Sequence, residues 1–331
     1  MEVQSQNIFA VGVDLGGTKI GIGLVDISGK THHYIKLPTD VAGGPLAIQK
    51  QIISAVEEIK KMVQDPIVGV GIGVPGQIQK ETGIVYFAPN LNWHNVPFKE
   101  GLQDLHLPIF ITNDVRAATW GEWQYGAGKG CDDLICMFVG TGIGGGIVVN
   151  GVFLEGSSNT AGEIGHMTID VHGPLCTCGN KGCLEAFAGG WAIAKTSREA
   201  LIVHPTEGKY LLELVNGKIE SVTGKMVIEA AYAKDAFAQH LIDKVIQSII
   251  IGCAGLANAF NPSRIILGGG VMEGLMSYIP LIDQGVKKHA LAAATKSLQI
   301  VPSALHAEAG IIGGAALAFH SYQLQEVVCK N

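Results

Sequence analysis

Two segments of this 331-residue chain share one design: an apolar run, a tight glycine turn and a second apolar run. The first spans Val11 to Val25 around Gly16-Gly17-Thr18. The second spans Leu134 to Val149 around Gly140-Thr141-Gly142, about 127 residues on when counted from Asp14 to Thr141. Apolar runs flanking a glycine turn are a β-hairpin signature. A chain that opens each of two halves with the same hairpin reads as internally duplicated, and 331 residues are enough for two domains. Glycine accepts positive φ and has no Cβ, so successive backbone N–H groups can converge on an anion. Asp14, at the tip of the first turn, could hold a hydrated Mg²⁺, and Thr18 and Thr141 add hydroxyl donors. One such turn is no more than a plain hairpin. Two, facing each other across a cleft, would clasp the phosphates of a nucleotide from both sides. The motif returns into a strand and contains no G-x-x-x-x-G-K-[ST], so it is neither a Walker A loop nor a dinucleotide fingerprint.

A third glycine cluster, Gly268-Gly269-Gly270, ends the apolar run that follows Asn261-Pro262. It could let an adenine or ribose lie against bare backbone, or it could be a simple strand-to-helix turn. Gly310 to Gly314 reads instead as close helix packing.

The stretch from Gly162 to Glu185, GEIGHMTIDVHGPLCTCGNKGCLE, carries the densest chemistry. His166, Cys176, Cys178 and Cys183 are soft or borderline ligands at metal spacing, and zinc favours four such ligands in a closed tetrahedral site. Seven cysteines occur in the whole chain, and three of them fall within eight positions here. Buried cysteines acting as small apolar residues fit poorly, because Thr177, Gly179, Asn180, Lys181 and Gly182 make a polar, turn-rich loop. A four-ligand zinc is structural, which leaves Glu163, His166 and Glu185 able to meet a ligand.

Composition narrows the partners. Charged residues are 16% of the chain, hydrophobic residues 47%, and the net charge is −6 with no basic run. Binding of nucleic acid through phosphate contacts is therefore disfavoured. The N-terminus lacks the basic and apolar segments of a signal peptide. The most apolar later run, Val245 to Ala257, falls short of the roughly 20 residues that span a bilayer and reads as a buried helix. No membrane partner is expected. Cys131, Cys136, Cys253 and Cys329 are scattered, and an odd cysteine total without a pairing framework points to a reducing compartment, the cytoplasm.

A candidate base lies in Pro108 to Trp120, where an apolar strand stops at Asn113-Asp114 and an alanine-containing helical segment begins. Asn or Asp at a helix start is commonly an N-cap. The functional reading places the Asp114 carboxylate at the C-terminal end of a strand, where α/β folds bind ligands. There it could accept a proton from an attacking hydroxyl, as phosphoryl transfer requires. Asn113 and Asn90 suit a polyol, since both donate and accept. Trp93 gets no role, and His32, His33 and His94 read as surface positions.

The chain resembles the ROK family (repressor, open reading frame, kinase), and within it the bacterial glucokinase branch, from Val11 to about Ala318. The resemblance rests on DLGGTK at 14–19, GVPG at 73–76, NDVRAA at 113–118, GTGIGGG at 140–146, GEIGH at 162–166, CTCGNKGCLE at 176–185 and LGGG at 267–270. It implies an α/β, actin-like (ribonuclease H-like) two-domain ATPase fold with a zinc loop at 166–183. The smaller domain would cover 1–117, completed by a helix at about 316–331, and the larger would cover 118–315. It implies ATP-dependent phosphorylation of a hexose at its 6-hydroxyl, glucose foremost, with domain closure expelling water. Asp114 would be the general base, and Gly76, Asn90, Asn113, Glu163, His166 and Glu185 would hold the sugar. His166 would serve zinc through one ring nitrogen and the sugar through the other. Asp14, Gly16, Gly17, Thr18, Lys19, Thr141 and Gly142 would face phosphates and Mg²⁺, and Gly268, Gly269 and Gly270 the nucleoside. A homodimer or higher homo-oligomer is implied as well.

Three alternatives compete with glucose phosphorylation. The same chemistry could act on N-acetylmannosamine, N-acetylglucosamine, fructose or allose. A sugar-responsive repressor of the family is disfavoured, because about ten residues before Val11 are too few for a helix-turn-helix domain. A chaperone or cytoskeletal ATPase of the same fold needs neither the zinc loop nor the Asn113-Asp114 pair. Residues 195–225 have a mixed, poorly periodic pattern that says nothing about substrate.

Overall fold

The computed structural model of the chain describes residues 7–330, with side chains as far as residue 324. Residues 1–6, which the leader argument includes, and Cys329 lie outside the described residues and side chains. The chain divides into two compact units, 1–130 with 155–161 and 304–331, and 131–154 with 162–303.

The first unit is built on the first glycine hairpin. β1 (Phe9–Leu15) and β2 (Lys19–Asp26) pair antiparallel with Asp14 opposite Gly21, so the glycines at 16 and 17 close the turn. β1 is buried along nearly its whole length, as a strand covered on both faces must be, whereas the edge strand β3 (Thr31–Pro38) carries exposed and half-buried residues. β4 (Ile67–Val74) adds parallel to β1. A small sheet of β5 (Gln77–Ile78), β6 (Val85–Ala88) and β7 (Trp93–Val96) follows. β8 (Ile109–Asn113) then completes the order β3-β2-β1-β4-β8. Helix α1 (Gly44–Lys60) starts on a proline and buries Ile48, Ile52, Ala55, Val56 and Ile59, one face of a 3.6-residue repeat. Helix α2 (Asp114–Gln124) and the helix Ala309–Lys330 pack on the sheet. That packing is close enough to require glycine: a Cβ on Gly71 would lie 1.8 Å from the Gly314 carbonyl oxygen. The close-packing reading of 310–314 therefore holds.

The second unit repeats the plan. β9 (Leu134–Val139), β10 (Ile143–Val149), β11 (Val152–Phe153), β12 (Arg264–Gly268) and β13 (Gln299–Pro302) form a sheet of order β11-β10-β9-β12-β13. In both sheets the first three strands of the chain pair antiparallel and the next two add parallel. The duplication read from two glycine turns is thus a duplication of whole sheets.

The short helix α3 (Glu185–Ala188) and helix α4 (Gly190–Val203) follow the metal loop. A helix at Ala236–Phe260 fills the core of this unit with Leu241, Ile242, Val245, Ile246, Ile249 and Ile250. It is longer than the run expected at 245–257: its 25 residues suffice, by length and composition, to cross a membrane, but 67% of its most apolar window is buried. Burial inside a globular core explains its composition.

The unit boundaries differ from the expected ones. The first unit extends to residue 130 rather than 117, and its C-terminal return begins at 304 rather than about 316. The reason is α2, which packs along the helix Ala309–Lys330 so tightly that a Cβ on Gly313 would sit 1.6 Å from the Ala117 carbonyl oxygen. Splitting the chain at 117 would cut through that contact.

Candidate active site

In the first unit, β8 delivers Asn113 and Asp114 to its C-terminal end. Asn113 takes the capping role, its Oδ1 accepting the N–H groups of Val115 at 3.0 Å and Arg116 at 3.2 Å. Its Nδ2 donates to the Gly76 carbonyl at 3.2 Å. Asp114 Oδ1 accepts the Val115 N–H at 2.9 Å. Burial pushes the Asp114 carboxyl up to about 6; the Val115 N–H opposes the rise and the negative charge of Asp14 adds to it. Such a carboxylate is ionised near neutral pH and still basic enough to take a proton.

Asp14 ends β1 beside the first turn of the helix Ala309–Lys330, where Gly310 leaves it room. Burial raises its pKa and Lys19 lowers it. Thr18 and Lys19 are exposed, and Gly16 and Gly17 are half-buried. Gly17 lies against Asn90, whose carbonyl oxygen would be 3.0 Å from an added Cβ. Asn90 itself is exposed in the 3₁₀ turn Pro89–Leu91. The phosphate turn and a residue expected to hold sugar are therefore neighbours.

In the second unit the β9–β10 turn carries Gly140, Thr141 and Gly142. Glu185, buried, points at it. Its Oε2 accepts the Ile143 N–H at 2.8 Å and its Oε1 accepts the Trp191 indole N–H at 3.1 Å. Gly142 has to be glycine for this, because a Cβ there would lie 2.4 Å from Oε2. The Thr177 hydroxyl also donates to Oε1 at 3.4 Å; a carboxylate offers about four lone-pair sites, so these three bonds fix Glu185 without exhausting it. Glu163 is exposed and leads into the 3₁₀ turn Ile164–His166.

The ligand atoms of His166, Cys176, Cys178 and Cys183 all lie within 4.8 Å of one another. A zinc tetrahedron with bonds of about 2.3 Å to sulfur has S···S edges of about 3.75 Å. The Cys178–Cys183 Sγ separation is 3.7 Å, and Cys176 Sγ lies 3.7 Å from His166 Nδ1. All three cysteines are free thiols. Burial pushes the Cys183 thiol up to about 12, raised further by the neighbouring Cys178 and Cys176 thiols. The residues fit zinc.

A cavity of about 780 Å³ opens beside the second turn, lined by Gly140, Thr141, Trp191, Arg198, Glu229, Tyr232 and Gly270 among others. That volume is in the range of small-molecule sites. Apolar faces from Trp191 and Tyr232 beside a glycine turn suit a flat base with a phosphate tail.

Residues 10–321 match the ROK family. The chain belongs to the ROK family. A glucokinase from Thermotoga maritima is 36% identical over 310 residues, 93% of this chain and 96% of that protein. The solved ROK glucokinase of Streptomyces griseus, in complex with glucose and AMPPNP, is 33% identical with a TM-score of 0.76, covering 94% of this chain and 99% of that one. A xylose repressor from Caldicellulosiruptor bescii is 32% identical over 93% of this chain and 77% of its own length. The fold is the actin-like two-domain ATPase fold of ROK kinases.

Several expected ROK site residues come together within each unit: Asp14, Asn113 and Asp114 in the first, Thr141, Gly142, Glu185 and the metal quartet in the second. The third glycine cluster needs correction. Gly268 packs on Phe138 and Gly269 on the backbone of Val139, where a Cβ would be 2.9 Å and 2.6 Å away, so of the three glycines Gly270 is the one bordering the cavity. A four-residue helix starts at Gly270, as the strand-to-helix reading of that cluster has it. Trp93 is a buried packing partner of Phe98, and His32, His33 and His94 are exposed. Sequence reasoning missed Trp191, Arg198, Glu229 and Tyr232. The one available signal was Trp191, an aromatic directly after Gly189-Gly190 at the exit of the metal loop; Arg198 lies in the very segment read as uninformative.

Proposed function

We propose that this chain transfers the γ-phosphoryl group of ATP to the 6-hydroxyl of glucose. The observation that carries the reading is Asp114, a carboxylate at a strand's C-terminal end, beside the helix cap Asn113 and raised to about 6 by burial. It accepts the hydroxyl proton as the phosphoryl group transfers in line, and transfer of this kind asks mainly for positioning and charge neutralisation. Asn113, Glu163, Glu185 and the Nε2 atom of His166 are the sugar contacts. Gly76 and Asn90 belong to the same set. Gly16, Gly17, Thr18, Thr141 and Gly142 receive phosphates, and the cavity at Trp191, Tyr232 and Gly270 receives the nucleoside. Asp14, a half-buried carboxylate beside Gly310, would hold Mg²⁺, which offsets phosphate charge. Zinc held by the four ligands, His166 through Nδ1, would fix the loop that carries Glu185 and would supply no open coordination position.

The glucokinase relatives support glucose over other hexoses. The repressor relative supports a second reading, sugar sensing without turnover. Free thiols at the described cysteines agree with a cytoplasmic setting, and light scattering tests the homodimer. The deciding experiment is a coupled ADP-release assay with ATP·Mg²⁺ across aldohexoses, ketohexoses and N-acetylated hexosamines. Glucose leading by tenfold or more in kcat/KM establishes the reading. A lead for an N-acetylated sugar overturns the substrate, and no turnover by folded, zinc-loaded protein overturns the kinase.

A further inference from the structure

One residue, Trp191, links the phosphate turn, Glu185, the metal loop and the cavity of the second unit. Trp191 opens α4 directly after Gly189-Gly190. Its backbone N–H donates to the Thr141 carbonyl at 3.1 Å, beside the Gly190 N–H bond to Gly140 at 2.9 Å, so the helix start is stitched to the phosphate turn. Its indole N–H donates to Glu185 Oε1 at 3.1 Å. The ring packs against buried Cys176, Cys183 and Ala186 of the metal loop, and it also lines the cavity of about 780 Å³.

We propose that Trp191 is a positioning residue that couples occupancy of the phosphoryl-donor cavity to the carboxylate that holds the acceptor sugar. The inference rests on the kinase reading and goes beyond it, since it assigns a path between two ligands. An indole has a single donor, and here it is spent on Glu185 rather than on solvent or backbone. The second oxygen of Glu185 is held by the Ile143 N–H, the first residue after the turn. Oε2 is thus oriented from the donor side, while Oε1 takes its shorter bond from Trp191 and a longer one, 3.4 Å, from the Thr177 hydroxyl of the metal loop. A base or ribose filling the cavity meets the indole, and any rotation of the ring moves the hydrogen bond that aims Glu185. Thermodynamic reciprocity then requires sugar to tighten nucleotide by the same factor that nucleotide tightens sugar. A tryptophan that merely fills space has no such requirement, because phenylalanine would fill most of the same space.

The test uses the full chain and two ligands, glucose and AMP-PNP with Mg²⁺. Calorimetric titration of glucose with and without AMP-PNP gives the coupling factor, expected to be fivefold or more in the wild type. Trp191→Phe keeps an aromatic ring and removes the N–H. It should weaken glucose about tenfold (about 1.4 kcal/mol), bring the coupling factor close to one, and leave the melting temperature near the wild-type value. In a Glu185→Ala background the same substitution should add little to the loss of coupling, because the acceptor of the indole N–H is already gone. Trp191→Tyr, which keeps a polar aromatic group, should fall between wild type and Trp191→Phe, and it carries the test should Trp191→Phe not fold. Wild-type coupling and glucose affinity in either folded variant would overturn the proposal, as would an undiminished effect of Trp191→Phe in the Glu185→Ala background. Wild-type protein that turns over no hexose would instead sink the kinase reading, so the two failures are distinguishable.

Discussion

Replacing Asp114 by asparagine should make the protein more stable while removing its turnover. Asparagine resembles the protonated acid in shape and polarity, so the substitution removes the charge and little else. Each pH unit is worth about 1.36 kcal/mol. Raising the carboxyl from 3.8 to about 6 therefore makes its ionised form cost about 3 kcal/mol in the folded chain. The sign follows from where the proton prefers to be. The folded state holds it more tightly than the unfolded state, so the favourable contribution exists below pH about 4 and is lost as pH rises through about 6. Asp114→Asn should then match the wild type in stability near pH 4, gain on it between about 4 and 6, and hold a constant advantage of about 3 kcal/mol, or several degrees, above that. Denaturant unfolding at half-unit pH steps reads this directly. Turnover should move the opposite way: the wild-type kcat/KM should fall on the acid side of about 6 as the base protonates, and the variant should lose most kcat at every pH while still binding sugar. A stability gap independent of pH, or a variant less stable than wild type at pH 8, would refute the burial argument. Near-normal kcat would refute the base.

Three further outcomes are expected. Cys178→Ser should lower zinc content and melting temperature together, measured by metal analysis and a thermal scan; a stable, active, zinc-free variant would contradict a structural zinc. Gly142→Ala puts a methyl group 2.4 Å from Glu185 Oε2, so steady-state kinetics should show the sugar KM rising at least tenfold, with a stability loss of about 1–3 kcal/mol. Glu122 is fully buried on α2 and accepts the N–H groups of Ala127 at 2.8 Å, Ala304 at 3.2 Å and Leu305 at 2.8 Å. Glu122→Ala orphans three donors and should cost about 3 kcal/mol or more in denaturant unfolding, with an unchanged midpoint counting against the assignment.

The duplicated hairpins and the metal loop were legible because their signals are local. Glycine where a turn must close, and four ligands inside one polar loop, need no knowledge of the rest of the chain. The sharing of work between Asn113 and Asp114 was not legible. Either residue can cap a helix, and the choice depends on Gly76, which is 37 positions earlier and receives the Asn113 amide. The unit boundary at 130 was hidden for a similar reason, since the contact between α2 and the helix Ala309–Lys330 joins segments almost two hundred residues apart.

The donor cavity shows the same limit from the other side. Its lining comes from the β9–β10 turn, α4, the helix Gly224–Tyr232 and the start of the helix at Gly270, four stretches with no common motif. Sequence by itself determined the chemistry on offer: the glycine turns, the metal quartet, the carboxylates and a strand ending in Asn-Asp. Backbone conformation and ligand spacing depend on neighbours within a few residues, so they can be read in order along the chain. Tertiary structure alone decided which carboxylate is buried, which amide is spent on a cap, and which tryptophan meets Glu185. Those outcomes depend on solvent exclusion and hydrogen-bond partners, and packing assigns both across long sequence separations.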